Sequence, residues 1–470
     1  MDSTLQWSPR SWRSHPVQQQ VDYPDPGRLA AVENILSSAL PIVGYGEIMD
    51  LRRALEPTVT GSSFLVQGGD CAEAFDHLNV STISSALALL LKLSIILTHG
   101  SDRQTVLIGR IAGQYAKPRS SPTEEIEGVI LPSYRGDIIN GYQPNLVART
   151  PDPDRMLTAY MRAVSTANLA RQLHSQPDRL VRQKRLVEDA YRNVMGGAEG
   201  GTNSAAHPFT PIYFSHEALL LPFEEMLTRF DDESECWYGS SGHMLWIGDR
   251  TRGSDDAHVE FVSGIANPIG IKCGPSTDPD ELLRILHRLN PTNAPGRIIL
   301  IVRMGASRIG NLYPALLRRM RAEGVLATWS CDPMHGNTFT ASNGYKTRDF
   351  SEISREAADF FEIHDAESVP AGGVHLEMSA QRVTECVGGK AAIDLDRLSE
   401  DYQTLCDPRL NLDQTLEFAC GLAKRLACRS SEPLPATIRR PAGPSALAPH
   451  DSSLIVHADL LNSEGRHGHL

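Results

Sequence analysis

Eight short apolar runs, each closing on a polar or charged side chain, constrain most strongly what this chain can fold into. They are 62–67, 104–109, 211–215, 243–248, 268–271, 297–302, 325–329 and 373–376. Each is four to six residues long and bounded by turn formers, the pattern of a strand buried on both faces. Helical patterns separate most of them, at 82–98, 279–289, 311–323 and 350–366. Strand–helix alternation predicts an α/β protein with a parallel sheet, and eight units predict a (β/α)8 TIM-type barrel. In such a barrel the active site lies at the C-terminal ends of the strands. A doubly wound open sheet is the alternative, but no strand runs into a G-x-G-x-x-G turn that opens a helix.

The rhythm breaks at both ends and once in the middle. Residues 1–60 read as an N-terminal extension, polar and Pro-punctuated from Trp7 to Pro26. Helices follow over 27–38 and 45–55, the second stopped by Pro57. The barrel is expected over 61–428, with accessory helices inserted after its second strand at about 134–210. That insertion holds a polar loop at 134–141, helices at 154–173 and 180–194, and a Gly/Ala/Ser/Asn-rich loop at 196–206. One more helix is expected over 401–427, and 429–470 reads as a loosely ordered tail.

Composition narrows the function classes. The richest apolar run, 86–97, is interrupted by Lys92 and is too short to span a bilayer. The first residues show no signal or transit pattern, and eight cysteines in 470 residues are too sparse for a secreted disulfide framework. A cytoplasmic chain with reduced thiols is the expectation. A net charge of −12 argues against nucleic acid and anionic membranes as partners, so local clusters of Arg and Lys stand out.

Barrel closure would bring Cys71, Arg110, Glu217, Arg250, Lys272, Arg303, His335 and Glu377 to one rim. Arg110, Lys117, Arg119, Arg250, Lys272 and Arg303 are cations, joined by Lys346 and Arg348 in the loop that follows 344. So much positive charge at one mouth of an acidic protein points to a polyanionic substrate, phosphates and a carboxylate held by forked contacts. Any one of these cations could instead be a solvated or salt-bridged residue. Cys71, His335 and Glu377, with Asp407 just past the barrel, form a thiolate, imidazole and carboxylate set suited to Mn, Fe, Co or Zn. A buried thiol and a rim salt bridge are the simpler readings of Cys71 and Glu377. Asp332, His335 and Asn337 crowd a loop bent by Pro333 and Gly336, which would equally serve as a polar cap for the next helix. Cys331 and Cys386 read as core thiols, and His243 and His258 as structural.

Several longer stretches resemble the type II 3-deoxy-D-arabino-heptulosonate 7-phosphate (DAHP) synthases, which open the shikimate pathway. They include 7–13 (WSPRSWR), 67–73 (QGGDCAE), 110–119 (RIAGQYAKPR), 135–141 (RGDIING), 331–338 (CDPMHGNT), 384–389 (TECVGG) and 406–411 (CDPRLN). The resemblance covers residues 7–427 and implies a barrel that condenses phosphoenolpyruvate with erythrose 4-phosphate and releases phosphate. It places divalent-metal ligands on Cys71, His335, Glu377 and Asp407, the metal being Mn or Co, with Zn or Fe as alternatives. It places phosphoenolpyruvate contacts on Arg110, Arg250, Lys272 and Arg303, with Trp246 and Asp249 beside them. The erythrose phosphate falls to Lys117, Arg119, Lys346 and Arg348. Lys272 and Arg303 would act in the chemistry itself, with Glu217 a candidate to activate the water. A homo-oligomer and a chorismate mutase partner are also implied.

Departures open two other readings. Asp249 stands where the family usually has Glu, and Ser379-Ala-Gln-Arg382 replaces the usual Thr-Gly-Glx-Asn. These could tune the site to an amino analogue of erythrose 4-phosphate in secondary metabolism. A non-catalytic, metabolite-binding paralogue is the alternative from another class. Cys406, beside Asp407, is placed to approach Cys71, so oxidation could silence such a site.

Overall fold

A computed structural model of the chain describes residues 7–126, 128–175 and 211–427. The expected helix at 180–194, the loop at 196–206 and the tail at 429–470 lie outside them. Eight strands close into a parallel barrel: β1 (Ser63–Gly69), β2 (Gln104–Arg110), β3 (Ile212–Glu217), β4 (Met244–Ile247), β5 (Ile269–Cys273), β6 (Ile298–Val302), β7 (Thr328–Cys331) and β8 (Gly373–Glu377). Each pairs with its neighbours in chain order, and β8 closes on β1 with Gly69 opposite Glu377.

Period-two alternation divides every strand between two cores. Leu65, Val106, Ile108, Tyr213, Met244, Trp246, Ile299 and Ile301 fill the barrel interior. Helix α2 (Tyr45–Val59) packs Leu51 and Leu55 into the same cluster and so helps plug the barrel. The alternate residues, among them Phe64, Val66, Leu107, Leu245, Ile271, Leu300 and Leu376, face the surrounding helices. With both faces covered, these strands read as continuous apolar runs, which is why they were legible.

The N-terminal stretch is tied to the barrel wall. Trp7 donates to the Glu260 carbonyl at 2.9 Å and Trp12 to the buried Glu225 carboxylate at 2.9 Å. Helix α1 (Pro26–Ser37) is capped by Asp25, which accepts from the Arg28 N–H. Helix α3 (Val80–Ser101) is long and apolar enough to cross a membrane by length and composition alone. It instead packs on β1, β2 and α4 (Leu412–Ala427), which accounts for its apolarity.

Two expectations need correction. α2 runs through Pro57 to Val59, because a proline near a helix end removes one backbone bond without unwinding the turn, and Thr58 Oγ1 donates back to Leu55 O at 2.6 Å. The last helix begins at Leu412, where Asn411 caps it by accepting from the Gln414 N–H, and not near 401. The irregular stretch before it carries Asp407. Between β3 and β4, where the sequence reading assigned no helix, the chain forms a short helix, Leu221–Met226, and a hairpin, Thr228–Asp231 with Cys236–Gly239.

Closure of β8 on β1 depends on Gly373, where an added Cβ would fall 2.5 Å from the Leu65 carbonyl oxygen. Gly373→Ala should destabilise the fold by about 1–3 kcal/mol, through overpacking. Gly421→Ala, in an open position of α4 with nothing within 4 Å of the new methyl, should stabilise by about 0.5–1 kcal/mol. Opposite shifts of the urea midpoint with unchanged slope would verify the pair.

Candidate active site

The alternation that fills the barrel also selects its mouth. Gln67, Ser215, Trp246 and His375 are the inward polar and aromatic layer, and Arg110, Glu217, Lys272, Asp332 and Glu377 stand one step above it. A cavity of about 340 Å³ opens over them. Lys117, Arg119, Arg250, Lys272, Arg303 and Lys346 line it, together with Glu217, Asp249, His335 and Asp407. Ten of the residues named from sequence thus share one cavity, and Cys71, Arg110 and Glu377 lie buried at its edge.

The metal-ligand candidates converge. The Cys71 sulfur and carboxylate oxygens of Glu377 and Asp407 lie within 4.8 Å of one another. His335 Nε2 is 3.0 Å from Glu377 Oε1. One Glu377 oxygen, Oε2, is buried and takes no hydrogen bond, although the Arg348 guanidinium lies 2.7 Å away. A soft sulfur, an imidazole and two carboxylates with an unused buried oxygen fit a divalent transition ion. Burial would push the Glu377 carboxyl up, but His335, Lys117, Arg348 and Arg110 together hold it well below the usual range. Asp407 is held low against burial chiefly by Lys117. Lys117 Nζ stands among the set, 2.9 Å from Cys71 Sγ and 2.7 Å from Asp407 Oδ2. Cys406 packs beside Cys71, and both are free thiols.

Loops fix these groups by backbone bonds. The buried Glu73 carboxylate accepts the N–H groups of Ala112, Gly113 and Gln114, which shapes the turn from Arg110 towards Lys117. The turns after β6 and β7 touch at Gly305 and Gly336, where a Cβ on Gly336 would lie 2.3 Å from Gly305 N. Glu356 accepts from Gly305 N and Asn337 Nδ2, locking the Arg303 loop to the His335 loop.

The cations differ in how much of each is already engaged. Arg303 donates to Asp249 at 3.1 Å and to the His335 carbonyl at 3.2 Å, leaving its buried Nε without a partner. Asp249 also accepts from Arg252 at 3.0 Å. Arg250 is exposed at the cavity and forms no ion pair among the described residues. Arg119 pairs with Glu124 at 2.5 Å, and Lys346 lies 3.6 Å from Asp407. Arg110 is buried, with its guanidinium 5.1 Å over the Trp246 ring. Arg348 departs from the expectation for it. Fully buried behind the cavity wall, it contacts Glu377, Thr338 Oγ1 and the Pro408 carbonyl. A guanidinium beside a buried carboxylate is held there by the charge it neutralises.

Two residues that the sequence reading did not assign to the site complete it. Asp332 is fully buried, 2.6 Å from Lys272 Nζ and 2.8 Å from His335 Nδ1, so it orients the imidazole and pins the lysine. His375 lies between Arg110 and Lys272. Its position two residues before Glu377 on one strand was the available signal, since period two puts both on the inner face. Burial draws the Lys272 ammonium down to about 8, Asp332 opposing and Arg110 adding to the shift. Burial raises the Glu217 carboxyl, opposed by Lys117, Lys272, His335 and Arg110, and its Oε1 has no hydrogen-bond partner. Such a carboxyl is poised to accept or give a proton.

This geometry meets a consistent set of relatives. The model of the class-II DAHP synthetase family matches residues 7–194 and 178–423. A phospho-2-dehydro-3-deoxyheptonate aldolase of Streptomyces coelicolor is 44% identical over 432 residues, covering 88% of this chain and 96% of that protein. Proteins of the same name from Neurospora crassa and Mycolicibacterium smegmatis are 42% and 40% identical, over 88% and 87% of this chain and 93% of each relative. With the barrel and the polar mouth already in view, these matches over nearly all the described residues establish that the chain belongs to the class-II DAHP synthetase family.

Proposed function

We propose that the cavity at the barrel mouth condenses phosphoenolpyruvate with erythrose 4-phosphate and water to give DAHP and phosphate, the first step of the shikimate pathway. The observation that carries this reading is the meeting of two chemistries in one cavity. Six basic side chains line it, and so do His335 and Asp407 of the ligand set, with Cys71 and Glu377 buried beside them. Arg110, Lys272, Arg250 and Arg303 bind the enolpyruvate carboxylate and phosphate, with charge-assisted hydrogen bonds from guanidinium and ammonium groups. Lys117, Arg119 and Lys346 receive the aldehyde substrate and its phosphate, while Arg348 holds Glu377 in place.

A divalent ion bound by Cys71, His335, Glu377 and Asp407 would supply Lewis-acid polarisation of the aldehyde. The cations fix C3 of the enolpyruvate against the aldehyde carbon, so bond formation pays little further orientational entropy. Glu217 takes a proton from the water that adds at C2, where positive charge develops, and the same cations stabilise the phosphate as it leaves the hemiketal. A non-catalytic role fits poorly, because a binding protein has no need for a complete ligand set beside an unpaired buried carboxyl.

Treatment with EDTA should abolish phosphate release from the two substrates, and Mn or Co should restore it in the native protein but not in His335→Ala. Turnover that survives metal removal would refute the metal assignment. Asp332→Asn, which unmoors His335, should weaken Mn or Co binding about 10–100-fold by equilibrium dialysis. A third outcome concerns pH. The Lys272 ammonium is charged below about 8 and neutral above it, so anion capture present at neutral pH declines as pH rises through about 8. The kcat/KM for phosphoenolpyruvate should therefore fall on an alkaline limb near that value, and the limb should move upward in Lys272→Arg.

A further inference from the structure

His375 has no role in the reading above, yet it occupies the centre of the mouth. It is fully buried on β8, facing inward one step below Glu377. Its Nδ1 lies 2.8 Å from Gln67 Oε1, and Gln67 Nε2 donates to Ser215 Oγ at 3.0 Å, which in turn donates to the Gly109 carbonyl at 3.1 Å. This relay across β1, β2 and β3 directs the Gln67 carbonyl oxygen at the ring, so the proton sits on Nδ1 and the lone pair on Nε2. Nε2 meets Arg110 Nη1 at 2.5 Å and Lys272 Nζ at 2.9 Å. The edge of the Trp246 ring backs the imidazole, with centroids 5.5 Å apart.

We propose that His375 is a positioning residue for the enolpyruvate site, a single neutral acceptor that holds Arg110 and Lys272 together as one anion clamp. Two buried cations that share an atom within 2.9 Å would repel one another across a poorly screened gap. A lone pair pointed between them offsets that repulsion where the outer carboxylates cannot, because of the two cations Glu377 contacts Arg110 and Asp332 contacts Lys272. Without the acceptor, the two groups would separate towards those carboxylates and present a wider, mismatched pair to the substrate. The proposal rests on the assignment of Arg110 and Lys272 to phosphoenolpyruvate.

Three variants test it, in metal-loaded protein of the full chain. His375→Phe keeps an aromatic ring and removes the acceptor, His375→Gln returns an acceptor near the position of Nε2, and Gln67→Leu frees the ring without touching either cation. Calorimetric titration with phosphoenolpyruvate and steady-state kinetics in both substrates supply the readouts, with thermal unfolding and Co binding as controls. The expected result is a tenfold or greater rise in Kd and KM for phosphoenolpyruvate in His375→Phe, with KM for erythrose 4-phosphate and Co affinity held within twofold. His375→Gln should recover most of the loss, and Gln67→Leu should weaken phosphoenolpyruvate in the native background but not in His375→Gln. A folded His375→Phe with native phosphoenolpyruvate affinity overturns the proposal. So does equal failure of the Phe and Gln variants, or a loss of Co binding matching that of phosphoenolpyruvate, which would place the defect in the strand carrying Glu377. Failure of the wild-type protein to bind phosphoenolpyruvate would instead refute the assignment of substrate.

Discussion

Six side chains at the barrel mouth form a closed circuit of charge-assisted contacts, and the rest of the structure serves to keep it closed. Glu377 meets Arg110 at 3.0 Å, Arg110 meets His375 at 2.5 Å, and His375 meets Lys272 at 2.9 Å. Lys272 meets Asp332 at 2.6 Å, Asp332 meets His335 at 2.8 Å, and His335 returns to Glu377 at 3.0 Å. All of them except His335 are buried. Removing one member of such a circuit would leave its neighbours as buried charges without compensation, which costs far more than the loss of an exposed pair. The circuit also places the candidate metal ligands and the candidate enolpyruvate cations on shared atoms, so the two halves of the chemistry are held in one geometry.

Every member of that circuit except His375, which sits inside β8, comes from the C-terminal part of a strand or the turn just past it, on β2, β5, β7 and β8. A parallel barrel makes this possible because every strand points the same way, so eight C-terminal ends open on one face. The packed apolar layer below, from Ile108 to Ile301, supplies rigidity and excludes water from the underside of the charges. Low local dielectric then strengthens the paired contacts and penalises any that are broken. The turns are held by their own polar contacts, Glu73 on one side and Glu356 on the other.

Much of this was legible in the chain. Strands buried on both faces advertise themselves as apolar runs, and their closing residues gave Arg110, Lys272, Arg303 and Glu377 directly. The helix boundaries at Pro57 and around 401 are not legible from local breakers, because tertiary contacts override or supply them. Asp332 and His375 escaped the assignment for a different reason. One stood in a loop that any polar turn could explain, and the other sat inside a strand where a lone histidine is most simply a core residue.

The sequence by itself determined the architecture, the rim and the family resemblance, since periodicity and motif order are local properties that survive without coordinates. Only the tertiary structure decided which cation serves which neighbour. Arg348 and Lys346 stand two residues apart in sequence, yet one is buried on Glu377 and the other opens onto the cavity. Likewise, Cys71 and Asp407 lie 336 positions apart in sequence, yet the Asp407 N–H donates to the Cys71 sulfur with a nitrogen–sulfur distance of 3.3 Å. Contacts of this kind depend on chain closure in three dimensions, where burial and the nearest opposite charge fix each side chain, and neither quantity is written in the spacing of residues.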